Sequence, residues 1–343
     1  MFKKIAIIGH FGGKETFLDG QTVKTKVLCA ELEKTGNYEI YKVDTYYKKH
    51  NPVKLLWQTF YALLFRKDIF VLLSHGGMKF YFPLLYYVTK IRRVRIYHDV
   101  IGGNLDGYVQ KYPKWQKYLN ACDVNWVETQ SMKSKLERLG VTNAEVLPNF
   151  KDLQSVLATE YTEPIFRFCT FSRVMKEKGI EDAVQVVTHI NEEYGRAVCS
   201  LDIYGAIDGG YTEEFEKLMK SFGKGIAYGG LVPFADSVSV LKNYYALLFP
   251  TFWDGEGFPG TILDAYASAI PVIASDWNYN RELVKHMKTG IIYPEGNFTD
   301  LYDAVKWSIE HRNEMNLMRI KCADAYLQYK PESVMGIIEN KLK

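Results

Sequence analysis

Two acids flank a glycine-rich turn in the last third of the chain. Glu256 sits inside Gly255-Glu256-Gly257-Phe258-Pro259-Gly260, and Asp264 follows eight residues later. Glycines on both sides of a carboxylate let the backbone come close to a ligand. A helix opening at Gly260 and Thr261 presents free amides, a natural seat for a phosphate. One acid in a tight loop, an anion-binding helix start and a second acid one turn on suit an anionic, hydroxyl-rich ligand such as a nucleotide sugar. The same loop also serves as an ordinary turn before a core helix. Arg173 and Lys178 stand five residues apart, directly after an apolar stretch that begins at Phe166. A guanidinium offers forked hydrogen bonds and an ammonium a compact charge, both suited to a phosphate that gains charge as its bond to a sugar breaks.

These residues need a scaffold that delivers loops to one edge of a sheet. Residues 4–9 form an apolar run ending in glycine, followed by a loop with Gly12, Gly13 and Gly20. Val23, Val27, Leu28 and Leu32 then mark a helix over 21–35, and 38–43 is a second strand. This is the β-α-β opening of a doubly wound parallel sheet. Strands at 94–99, 122–128 and 145–150 continue it, with a helix at 131–139 and a linker at 151–164. A second series begins at 166, with strands at 201–205, 245–249, 271–274 and 290–294. Helices are expected at 215–222, 261–269 and 301–309, and a terminal helix at 331–343. Ligands bind such sheets at the carboxyl ends of the strands, where Glu256, Arg173, Lys178 and His98 fall. A nicotinamide site is excluded: Gly9, Gly12 and Gly13 lack the Gly-x-Gly-x-x-Gly spacing, and Asp44 lies too far on.

On these motifs the chain resembles the family 4 retaining glycosyltransferases, which have the GT-B fold: two Rossmann-like doubly wound α/β domains facing each other across a cleft. Glu256 and Asp264 match the family's acid, seven residues, acid pattern, with Asp for the usual second Glu. Arg173 and Lys178-Gly179 match its Gly-Arg-Leu and Lys-Gly motif, with Ser172 for glycine. Pro148-Asn149-Phe150 matches a Pro-Asn-Gly turn, and Asp19-Gly20-Gln21-Thr22 a glycine loop. The resemblance implies an acceptor domain at 1–155, a nucleotide-sugar donor domain at 165–325, and a helix at 326–343 crossing back to the first. It implies that Glu256 positions the donor sugar, Asp264 holds the ribose, and Arg173 and Lys178 clamp the diphosphate. Gly257, Phe258, Gly260 and Thr261 would surround the donor, Gly20 and Gln21 would face the diphosphate, and His98 would reach the sugar hydroxyls. The implied reaction is retaining transfer from a UDP- or GDP-sugar to a hydroxyl acceptor, a polyprenyl-linked glycan in bacterial surface polysaccharide synthesis. The alternatives are a nucleotide-sugar epimerase on the same fold and a non-catalytic subunit of a glycosyltransferase complex.

Composition sets outer limits. The chain has 343 residues, enough for two domains, with 47% hydrophobic and 24% charged residues, as in ordinary globular proteins. Five scattered cysteines without a Cys-x-x-Cys pair fit reduced thiols in the cytoplasm. The apolar run at the amino end is too short for a signal peptide, and no apolar stretch reaches membrane-spanning length. Between residues 46 and 97 there are ten Lys or Arg against one acid, Asp68, interleaved with aromatics. That pattern suits docking on an anionic membrane surface, here the inner face of the plasma membrane, or else core helices with solvated basic ends. No nucleic-acid recognition motif accompanies the charge. Asp-x-Asp and zinc-ligand spacings are both missing from the sequence, so no metal and no other cofactor is expected.

Overall fold

The computed structural model describes residues 2–15, 17 and 19–343. The chain divides into two compact units: one runs to Phe150 and includes Val334–Lys343, and the other is Lys151–Ser333.

The first unit is built on β1 (Lys3–Gly9), β2 (Tyr38–Asp44), β3 (Asp68–Leu72), β4 (Arg95–Asp99), β5 (Val124–Val127) and β6 (Ala144–Val146). They form one parallel sheet in the order β2-β1-β3-β4-β5-β6, so the winding reverses between β1 and β3. Continuous runs such as Ile5 to Ile8 and Ile69 to Leu72 are fully buried, as strands covered on both faces require. Ile5, Ile7, Leu28, Phe70, Tyr97 and Trp126 share a core with Val334, Met335, Ile338 and Leu342 of the terminal helix Pro331–Leu342.

The second unit repeats the plan. It contains β7 (Phe166–Phe171), β8 (Cys199–Tyr204), β9 (Ile226–Gly230), β10 (Ala246–Phe249), β11 (Val272–Ser275) and β12 (Gly290–Tyr293). Their parallel order is β12-β11-β10-β7-β8-β9, which reverses between β7 and β10. In an open α/β sheet the loops part at such a reversal and leave a crevice outside the carboxyl ends of the two strands. The loops after β7 and β10 carry Arg173, Lys178 and Glu256.

Several elements differ from the sequence expectations, among them β3 and β6. β3 was not anticipated, because its four apolar residues, Ile69 to Leu72, lie between the apolar helices Pro52–Phe65 and His75–Ile91 and share their composition. β6 is only three residues long, and the chain through Asn149 continues without regular structure. All five cysteines are buried and unbridged.

Candidate functional site

In the second unit, two loops are drawn together by a glycine. Lys178 closes the short 3-10 turn Lys176–Lys178, and Gly179 follows with φ +67°. A Cβ on Gly179 would lie 2.1 Å from the carbonyl oxygen of Pro250, so a larger residue would push the loop after β7 off the loop after β10. The loops are also stitched by hydrogen bonds to the Glu177 carbonyl, from Phe252 N at 2.8 Å and Thr251 Oγ1 at 3.2 Å. Lys178 Nζ thereby reaches Glu256 Oε2, which also accepts from Thr251 Oγ1 at 3.1 Å. Both side chains are buried, and the ammonium lies 4.6 Å from the centroid of the Trp253 ring. Burial lowers the Lys178 pKa; Glu256 opposes that shift and the nearby Arg173 guanidinium adds to it. Arg173 itself is about half exposed and lies 3.7 Å from Asp208. Its loop rests directly on Gly205 (φ +138°), where a Cβ would meet the Ser172 carbonyl oxygen at 1.8 Å. The buried ammonium-carboxylate pair is balanced, and the half-exposed Arg173 guanidinium has only its surface contact with Asp208, so it can turn toward an anionic ligand.

Asp264 stands on the helix Gly260–Ala267 and is buried. Its Oδ1 accepts from Ser237 Oγ at 2.9 Å and its Oδ2 from Lys151 Nζ at 2.5 Å. At the amino end of the same helix the Thr261 hydroxyl is buried without a hydrogen-bond partner. Gly257 is buried too. Phe258 turns inward, its ring 5.3 Å from that of Tyr329, so it packs the loop rather than lining an open face.

The first unit carries a different cluster at the carboxyl edge of its sheet. His98, the fourth residue of β4, is fully buried. Asn125 donates through Nδ2 to Leu119 O and Asn143 Oδ1, which turns its Oδ1 toward His98 Nδ1 at 2.8 Å. Nδ1 must therefore carry the proton, leaving Nε2 as a buried acceptor with no partner. Burial lowers the His98 pKa to about 4, although the Asn125 hydrogen bond opposes the shift. Next to it, Lys24 Nζ lies 2.6 Å from Asp99 Oδ1 and 2.9 Å from Glu128 Oε1, all three buried. The two carboxylates outweigh desolvation and raise the Lys24 pKa, while burial pushes Asp99 up to about 6. Gly20 opens the helix Gly20–Lys34, capped by Asp19, whose carboxylate accepts from Thr22 N at 3.1 Å. Gln21 donates to the Leu72 carbonyl at 3.1 Å.

The structure thus brings Lys178 and Glu256 into contact, with Arg173 close enough to shift Lys178. Asp264, Gly257, Phe258, Gly260 and Thr261 share the adjoining loop and helix, and His98, Gly20 and Gln21 belong to the first unit. Four contributors escaped the sequence: Lys151, Ser237, Thr251 and Lys24. Lys151 fell in the expected linker, 113 residues from its partner Asp264. Among the described residues no group of three His, Cys, Asp or Glu is placed to hold a metal ion. A groove of about 700 Å3 in the first unit, lined by Lys3, Tyr38, Arg95 and Glu339, opens at the amino ends of the strands, away from these clusters.

Comparison with known structures bears on the fold. A sucrose-phosphate synthase from Thermosynechococcus elongatus matches with a TM-score of 0.78 at 14% identity, covering 99% of each chain. Anabaena HepE in complex with UDP gives 0.73 at 15% identity, again over 99% of each. The fold is GT-B. A third GT-B structure, the apo lipopolysaccharide outer core galactosyltransferase WaaB, gives 0.69 at 14% identity and 99% of each chain. The family described as "Glycosyl transferases group 1" matches residues 165–311, the part of this GT-B chain that carries Arg173, Lys178, Glu256 and Asp264. No curated protein sequence matches the chain.

Proposed function

We propose that the chain is a metal-independent retaining glycosyltransferase that moves a sugar from a UDP- or GDP-sugar to a hydroxyl acceptor. The observation that carries this reading is the buried Lys178–Glu256 pair at the β7/β10 reversal. Arg173 and Lys178 stabilise the leaving diphosphate, helped by the amides at Gly260 and Thr261. Glu256, held by Lys178 and Thr251, orients the donor sugar, and Asp264 takes the ribose hydroxyls. The bond from the anomeric carbon to the phosphate oxygen breaks as the acceptor oxygen bonds to that carbon from the same face. The acceptor proton passes to the leaving phosphate, so no enzyme nucleophile is consumed. The UDP complex of HepE makes UDP-sugars the first donors to try.

We also assign the acceptor to the lipid-linked class, as in bacterial surface polysaccharide synthesis, with the first unit docked peripherally on an anionic membrane. Val53, Leu56, Trp57, Phe60 and Leu64 recur at helical spacing on Pro52–Phe65 and are all exposed. Phe80, Tyr87 and Ile91 do the same on His75–Ile91. Lys48, Lys49, Lys54, Lys67, Lys79, Lys90 and Arg93 are exposed around them. Arg66 and Arg95, by contrast, pair inside the unit with Glu39 and Asp68.

The test is a thermal-shift panel of nucleotide sugars followed by product analysis with a lipid-linked acceptor. A bound donor raises the melting temperature by mass action, and Glu256→Gln is expected to lower turnover at least about 100-fold. Chelator should leave the rate unchanged. Isomerised donor formed without acceptor would instead establish an epimerase, and no response to any nucleotide would remove the donor reading.

A further inference from the structure

Lys151 is placed where the proposed donor would pass. Its side chain is 13% exposed, and its ammonium binds Asp264 Oδ2. The same group lies against the start of the helix Gly260–Ala267: a Cβ on Gly260 would meet Lys151 Cε at 2.9 Å and Nζ at 3.1 Å. Its backbone is pinned, since Tyr326 OH donates to the Lys151 carbonyl at 2.7 Å and Lys151 N to the Tyr329 carbonyl. A cation here is on the wrong side of the helix dipole, whose amino end favours negative charge. Asp264 holds it against that field. An anion seated at the helix start would turn the unfavourable contact into a favourable one. The buried, unpartnered Thr261 hydroxyl at the same helix end is a second group left to meet a ligand.

We propose that Lys151 is a donor-binding residue whose ammonium turns from Asp264 to the diphosphate of a bound nucleotide as the ribose hydroxyls take Asp264. This rests on the reading that a nucleoside diphosphate binds the second unit. The exchange couples the two ends of the ligand, because the ribose releases the cation that the phosphate receives. A nucleoside alone gains the carboxylate but must displace the lysine without compensation. A nucleoside diphosphate satisfies both groups.

The experiment compares binding of UDP and uridine, and of GDP and guanosine, to the wild-type chain, Lys151→Met and Lys151→Arg. Titration calorimetry serves for the diphosphates and saturation-transfer NMR for the nucleosides. Lys151→Met should weaken the diphosphate about tenfold or more while the nucleoside binds equally or more tightly. Lys151→Arg should recover most of the loss. Equal loss of diphosphate and nucleoside, or no loss of either, overturns the role of Lys151. Melting temperatures of the variants identify a loss due to misfolding, and in that event the Lys151→Arg result alone decides: recovery of diphosphate binding upholds the role, and no recovery overturns it. A wild-type chain that binds neither UDP nor GDP overturns the donor reading itself, and this proposal with it.

Discussion

Each unit buries a lysine at the carboxyl edge of its sheet, and the two lysines are held in opposite ways. Lys178 faces Glu256 with Arg173 nearby, and burial prevails, so its pKa falls. Lys24 is shared by Asp99 and Glu128, and the paired acids prevail, so its pKa rises. In one cluster Glu256 and Asp208 only match the two cations, and in the other the acids outnumber the single lysine. The first resists an anion less, and its half-exposed Arg173 can turn from Asp208 to meet one. The other has its cation fully engaged by its own chain and acts as a clasp between the helix Gly20–Lys34 and the ends of β4 and β5. Burial and residue type alone do not separate the two roles; the count of opposing charges does.

The comparison is most easily broken at Lys24. Lys24→Met leaves two buried carboxylates without a cation and should cost about 3–5 kcal/mol of stability, read as a lower midpoint in urea unfolding. A loss below about 1 kcal/mol would show that the cluster is no clasp. The next effect concerns His98. Its pKa is depressed to about 4 from an ordinary 6.5, so the unfolded chain takes up its proton first as pH falls. The stability this confers is complete above pH 6.5 and is lost on acidification toward about pH 4, roughly 3 kcal/mol in all. Asp99 runs the other way: raised to about 6 from 3.8, it confers stability below pH 3.8 that is lost as pH rises through about 6. In the wild type the two slopes oppose each other. His98→Asn removes one of them, so the stability of the variant relative to wild type should climb between pH 6.5 and 4. A constant difference across that range would mean that His98 is not buried neutral. Glu256→Gln comes third. Burial lowers the Lys178 pKa, so giving up its proton when its partner goes costs less than it would for Lys24, and the loss should be only about 1–2 kcal/mol. If Glu256→Gln destabilises as much as Lys24→Met, the contrast between the clusters fails.

The legible parts of this molecule were local ones. The β-α-β rhythm, the glycine at 179, and the acids at 256 and 264 announce themselves within a few residues, because a turn or a helix start has its own chemistry. The clusters joining distant elements did not. The apolar pattern Val23, Val27, Leu28, Leu32 located the helix Gly20–Lys34 but not its buried face, which is Thr22, Lys24, Thr25, Leu28, Cys29 and Leu32. Of the polar groups buried in its first turns, Lys24 meets acids at the ends of β4 and β5, Thr22 bonds Asp19 and His10, and Thr25 bonds the Gln21 carbonyl; hydrophobic periodicity is blind to such partners. Lys151 is the same case: nothing near it in sequence points to Asp264. The expectation for His98 was contact with the sugar hydroxyls, and nothing near it in sequence showed that Phe82 and Asn125 would enclose it with a single acceptor nitrogen left over.

The contrast between the units extends to their surfaces, and there the expected effect is smallest. Exposed apolar residues in the second unit make no long stripe: Leu231 and Leu327 stand on separate segments, and Leu317 and Ile320 share a single turn of the helix Arg312–Tyr326. Those of the first unit line one helical face of Pro52–Phe65, which buries only Thr59 and Ala62. That helix is turned inside out: Thr59 points inward to Tyr81 OH at 2.8 Å while Trp57 is 68% exposed. An apolar stripe ringed by lysines fits an anionic bilayer, whose acyl boundary takes the rings and whose headgroups take the ammonium groups. Sedimentation with phosphatidylglycerol vesicles should retain the wild-type chain at low salt and release it as salt rises. Lys48→Glu and Lys49→Glu should each weaken that binding about fivefold or more and flatten its salt dependence. Trp57→Ser should weaken binding to the vesicles at every salt concentration, since it removes apolar contact rather than charge. Equal binding to neutral and anionic vesicles, or release by neither change, would leave the stripe to a protein partner and restrict the difference between the units to their interiors.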